Sequence, residues 1–135
     1  MTPAMKTILV VDDDIDTRII WRTALEHHGY ATLDASNGAE GILMAREQRP
    51  DLIVMNLSMP KLDGISTTVL LRNDDATANI PIIACTGFVR EDGAEEAEDA
   101  GVDAYLEKPC EPWRMVEEVR RLVGEPPAPR AIPEA

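Results

Sequence analysis

Short apolar runs alternate five times with longer stretches of helical periodicity along this chain. Residues Lys6 to Val11 form a β-branched run that ends abruptly in Asp12, Asp13 and Asp14. From Ile15 to His28 the spacing turns helical, with Ile15, Ile19, Ala24 and Leu25 near one face, and Gly29 stops it. Tyr30 to Asp34 reads as a second strand. Asn37-Gly38 then opens a helix that carries Ala39, Ile42 and Leu43 and runs to Gln48. Asp51 to Met55 is nearly all apolar, the pattern of a parallel strand covered on both faces. A loop from Asn56 to Asp63 contains Pro60, and Gly64 to Asn73 reads as the third helix. Ile80 to Cys85 is the fourth strand, with Pro81 tolerable only at its start. Asp92 to Ala100 is an acidic, alanine-rich helix closed by Gly101, and Ala104 to Leu106 a short fifth strand. Pro112 suits the first turn of a last helix, whose apolar stripe is Val116, Val119 and Val123. Residues 6–123 thus form one domain. The tail from 124 to 135 holds four prolines and no periodicity, as expected of a disordered segment or linker stub.

Five strand–helix units in succession predict an α/β fold, an open parallel sheet with helices on both faces. Such folds place their sites at the carboxyl ends of the strands. Those ends carry Asp12, Asp13 and Asp14 after the first strand and Asn56 after the third. Thr86-Gly87 follows the fourth, and Lys108-Pro109 the fifth. Clustered carboxylates repel one another unless a cation joins them, and hard oxygen donors suit Mg²⁺. A lysine and a threonine beside such a metal supply the charge and the hydrogen-bond donor that a transferring phosphoryl group needs. Taken singly, each residue has a plainer role: Asp13 or Asp14 suits a helix N-cap, and a Lys-Pro pair suits a loop. Four strand ends with matched chemistry argue for a site.

Composition narrows the field. With 135 residues the chain is sized for one core. A formal net charge of -12 and a pI near 4.4 speak against a phosphate-neutralising nucleic-acid surface. No apolar run is long enough to span a bilayer, and the N-terminus lacks a secretory signal. The two cysteines, Cys85 and Cys110, form no CxxC pair, so a reduced, cytoplasmic chain is expected. His27 and His28 are neighbours on a helix and cannot chelate one metal together. Trp113 is expected to pack into the core, with a partner anchor as the other reading. Phe88 stands in a loop beside the site, as a recognition element or tucked against the fourth helix.

The motifs Val10-Val11-Asp12-Asp13, Asp51 through Gly64, Pro81 through Gly87 and Tyr105-Leu106-Glu107-Lys108-Pro109 together resemble the receiver-domain signature of two-component response regulators. The resemblance spans residues 6–123. It implies a flavodoxin-like (βα)5 three-layer sandwich with sheet order 2-1-3-4-5, and a role in phosphorelay signal transduction. It further implies that Asp12, Asp13, the position of Asn56 and the Ser58 backbone carbonyl bind Mg²⁺. Lys108 would pair with phosphoryl oxygens, and Thr86 and Tyr105 would rearrange as a switch. Gly87 would leave the phosphoryl group room to enter. The implied partners are a sensor histidine kinase or phosphotransfer protein, and an effector or second copy on the face of helix 4, strand 5 and helix 5. With no output domain after residue 123, a single-domain regulator or a receiver cut from a longer protein is expected.

The departure lies at the centre, where the implied phosphoacceptor position holds Asn56. A neutral amide is a poor nucleophile and forms no acyl phosphate, so the chain should not accept a phosphoryl group. Loss of one negative charge should also weaken Mg²⁺ binding. The intact Asp12, Asp13, Thr86 and Lys108 favour a deliberate Asp-to-Asn silencing. The alternative is a natural, phosphorylation-independent receiver acting as a protein-binding module, or an adaptor that never binds metal. A Mg²⁺-dependent phosphatase of the haloacid-dehalogenase type is a remote third reading. Asp12 and Asp14 fit its Asp-x-Asp pattern, but the chain leaves little room for its later acidic pair and cap.

Overall fold

The computed structural model describes residues 5–59, 62–87 and 93–124. In chain order the elements are β1 (Thr7–Val11), α1 (Ile15–His27), β2 (Ala31–Ala35), α2 (Gly38–Gln48) and β3 (Leu52–Met55). They continue as α3 (Gly64–Arg72), β4 (Ile82–Thr86), α4 (Gly93–Ala100), β5 (Ala104–Glu107) and α5 (Pro112–Val123). The five strands pair in parallel in the order β2-β1-β3-β4-β5, giving the flavodoxin-like sheet that the sequence implies. Phe88, Pro60, Lys61 and the tail from residue 125 lie outside the described residues. Among those described, no helix is long and apolar enough to cross a membrane.

The apolar strands follow from burial on both faces. Ile8 and Val10 of β1, Leu52 and Val54 of β3, and Ile83 and Cys85 of β4 point one way, into a core with Trp21, Leu25, Met115, Val116 and Val119. Leu9, Val11, Ile53, Met55 and Ile82 point the other way, against Ala45 and Leu71. The alternation of period two therefore fills two cores at once, which leaves polar residues only at strand ends, Thr7 on β1 and Thr86 on β4.

Two helix faces differ from the sequence reading. On α1 the buried side chains are Trp21 and Leu25, whereas Ile15 and Ile19 are 59% and 54% exposed. The sheet side of this helix also takes Arg18, whose guanidinium bonds Asp34 and the Asp12 carbonyl. Because an arginine fills an inward position, the isoleucines are turned outward. On α2 the buried residues are Gly38, Gly41 and Ala45, while Ala39 and Leu43 face solvent and Ile42 is only partly buried. Small residues let this helix approach closely: a Cβ at Gly41 would stand 3.0 Å from a Val11 methyl. Trp113 corrects a third expectation. It is 57% exposed, because Met115, Val116 and Val119 already fill the inward stripe of α5.

Candidate functional site

The rim is built by what terminates each strand. After β1, Asp14 caps α1 by accepting from the Thr17 amide and hydroxyl, and that hydroxyl holds its carboxyl below the usual carboxylate range. This frees Asp12 and Asp13 from capping duty. Asp12 is buried, its Oδ1 accepting from the Asp14 amide at 2.9 Å. Its own carbonyl accepts from Arg18 Nη1 at 2.7 Å, which anchors the turn from beneath. The sequence reading missed Arg18. Its signal was an arginine at helical spacing with Trp21 and Leu25.

After β3 stands Asn56, buried, with its amide pointing into the acidic cluster. Asn56 Nδ2 donates to Ser58 O at 3.0 Å and to Asp13 Oδ1 at 3.1 Å, with Asp12 Oδ1 at 3.4 Å. Asn56 Oδ1 accepts from the Ser58 amide at 3.3 Å, which fixes the side chain's orientation. Lys108 Nζ reaches across from the end of β5 to Asp12 Oδ2 at 2.9 Å. Thr86 is buried at the end of β4, and its carbonyl accepts from the Lys108 amide at 2.9 Å. Gly87 is exposed next to it; a Cβ there would meet only the Lys108 side chain, at 3.7 Å and beyond. Tyr105, its hydroxyl pushed up by burial and by Glu107, shares a cavity of about 400 Å³ with Ser58, Met59, Ile65 and Thr86. The structure thus links Asp12, Asp13, Asn56, Ser58 and Lys108 by hydrogen bonds, sets Thr86 and Gly87 next to Lys108, and places Tyr105 with Ser58 and Thr86 around the cavity.

The loop after β3 is held by a close backbone crossing at Gly64. Its amide donates to Leu57 O at 3.0 Å, and a Cβ would stand 2.3 Å from Asn56 O and 2.6 Å from Leu57 Cα. Both obstacles are backbone and cannot swing away. We expect Gly64→Ala to destabilise the protein by about 3 kcal/mol, read from a urea melt, since overpacking against a fixed neighbour costs this much. A loss under ~0.5 kcal/mol would mean that the loop yields freely.

Among the described residues, no three His, Cys, Asp or Glu side chains are placed to hold a metal. The oxygens that surround Asn56 Nδ2 nevertheless form a hard donor set: two carboxylates and a backbone carbonyl. That set fits Mg²⁺ in kind. The Asn56 amide nitrogen is hydrogen-bonded to these same oxygens.

A parallel sheet in this order with an acid and lysine rim defines a signalling α/β domain of the receiver class. The model of the response regulator receiver domain matches residues 8–120, and the chain belongs to that family. It is 34% identical over 120 residues to the polar-differentiation response regulator DivK of Brucella anthropi, covering 89% of this chain and 98% of that protein. The chemotaxis protein CheY4 of Vibrio cholerae superposes with a TM-score of 0.83 at 27% identity, over 88% of this chain and 99% of that one. The receiver domain of a Pseudomonas aeruginosa sensor histidine kinase, solved with a magnesium ion coordinated in its active-site cleft, superposes with a TM-score of 0.82 at 30% identity. That match covers 90% of this chain and the whole of the other. The protein is therefore a receiver domain of two-component signalling.

Proposed function

We propose that this chain is a receiver whose phosphoacceptor position is Asn56, so that it signals by binding and not by taking up a phosphoryl group. The carrying observation is the Asn56 amide nitrogen, held within 3.0 to 3.4 Å of Ser58 O and the two aspartates. An amide oxygen lacks the negative charge that lets a carboxylate attack phosphorus. In this reading Asp12, Asp13, the Ser58 carbonyl and, with its amide turned over, the Asn56 carbonyl oxygen would hold Mg²⁺. When bound, the metal neutralises negative charge on a phosphoryl donor. In an Asn56→Asp form Lys108 and the Thr86 hydroxyl would meet phosphoryl oxygens, Tyr105 would follow Thr86, and Gly87 would leave the approach open. The completeness of this pocket around one neutral residue fits a substitution at a single position, Asp to Asn. The partners are a sensor histidine kinase or phosphotransfer protein, and an effector or second copy on the α4–β5–α5 face, in the cytoplasm.

The test is direct. The protein and its Asn56→Asp form are incubated with Mg²⁺ and a small acyl-phosphate donor and weighed intact. Only the aspartate form should gain one phosphoryl mass, about 80 Da, because only it offers a carboxylate nucleophile. Uptake by the unchanged chain would overturn the reading, and so would failure of both forms.

A further inference from the structure

The chain's two cysteines lie far apart in sequence, and the fold brings them into one apolar cluster. Cys85 is buried on β4, and Cys110, partly exposed, opens the turn into α5. Both pack in the cluster formed by Trp21, Met115 and Val116. The two thiols lie close enough that each shifts the other's ionisation. The Cys110 thiol in turn donates to the Glu111 carbonyl at 3.6 Å. Neither sulfur takes part in the acid and lysine rim, yet each adjoins it. Cys85 precedes Thr86 directly, and Cys110 follows Lys108-Pro109.

We propose that Cys85 and Cys110 are a redox-sensitive pair that closes into a disulfide when the protein meets a peroxide. The more exposed Cys110 sulfur attacks the peroxide oxygen, giving a sulfenic acid and one water. The Cys85 sulfur then displaces the hydroxyl; the S–S bond forms, and a second water carries off the remaining thiol proton. Two thiols lose two electrons and the peroxide gains them. Burial raises both thiols, Cys85 to about 12, so the reaction is slow beside that of free cysteine and answers a sustained oxidant.

Closure has a direction. A disulfide sets the sulfurs about 2.05 Å apart, well inside thiol hydrogen-bond distance. Cys85 sits in a strand paired on both sides, with Ala84 opposite Met55 and Cys85 opposite Leu106, so it is the fixed partner. Cys110 must come inward, drawing on the turn that carries Lys108, whose ammonium pairs with Asp12. Oxidation of this pair is thereby coupled to the acidic rim, whatever residue stands at position 56.

The experiment treats the folded protein with hydrogen peroxide, quenches it, and counts alkylatable thiols after denaturation. The count should fall from two to zero in the monomer and return to two with dithiothreitol, and a tryptic digest should yield one peptide pair linking Cys85 to Cys110. The Cys110→Ser chain, checked for folding by circular dichroism, should keep its one thiol and form no intramolecular link. Amide NMR shifts on oxidation should centre on Thr86 and the Lys108 to Glu111 turn. A disulfide between two chains, irreversible oxidation of Cys110 alone, or two thiols surviving in a sample whose denatured control reacts would each overturn the proposal.

Discussion

In metal-free buffer, Asn56→Asp should lower stability by about 2 to 3 kcal/mol, and added Mg²⁺ should reverse the order of the two forms. The amide nitrogen now gives its hydrogens to Ser58 O and Asp13, with Asp12 close by. A carboxylate oxygen in its place would set acceptor against acceptor at every one of those contacts. Two unit charges ~5 Å apart repel by about 3 kcal/mol at an effective dielectric of ~20. Asp13 is exposed, which weakens its share, and Lys108 already offsets Asp12. The lost hydrogen bonds add about 1 kcal/mol each. For a domain of this size the deficit corresponds to roughly 6 to 12 °C in melting temperature. Mg²⁺ binds the folded aspartate form more tightly, and each tenfold excess over its dissociation constant adds about 1.4 kcal/mol. Melts with chelator and across a Mg²⁺ series check both halves. An aspartate form that melts at or above the parent without metal refutes the idea that the amide stabilises the empty pocket.

The same network shows why so much of the site was legible and where legibility ended. Strands buried on both faces read as unbroken apolar runs, so Val11, Met55, Thr86 and Glu107 could be placed as strand ends within a residue or so. The residues just beyond them had to share one rim, because parallel strands all finish on the same side of the sheet. Helix faces were harder. An isoleucine is inward only if nothing else claims the inward position, and on α1 Arg18 claims it through Asp34 and the Asp12 carbonyl. That choice depends on a partner from β2, which no local period reveals. On α2 the inward residues are glycines and an alanine, invisible to a search for large apolar side chains. Trp113 followed size and hydrophobicity, but Met115 and its neighbours had filled the space. The direction of the Asn56 amide is likewise set by tertiary contacts, chiefly the Ser58 backbone on one side and Asp13 on the other.

Lys108→Met should cost about 3 kcal/mol, the low end for breaking a buried ion pair, and the cost should largely vanish in an Asp12→Asn background. The Asp12 side chain is 3% exposed and that of Lys108 24%, so the carboxylate is the member that water cannot reach. Without the ammonium it retains the Asp14 amide at 2.9 Å and a long contact to Asn56, neither carrying a positive charge. Removing Asp12 first leaves Lys108 with its own access to solvent, so Asp12→Asn alone should cost only about 1 kcal/mol. The double variant should then lose about 2 kcal/mol less than the sum of the single losses, a coupling typical of residues in direct contact. Salt separates this pair from a surface one: an exposed ion pair fades over a Debye length of about 10 Å at 0.1 M, whereas this coupling should persist at high ionic strength. A coupling below ~0.5 kcal/mol would show that Asp12 finds water in the folded protein and that Lys108 is free to leave it for an incoming anion at no cost to the fold.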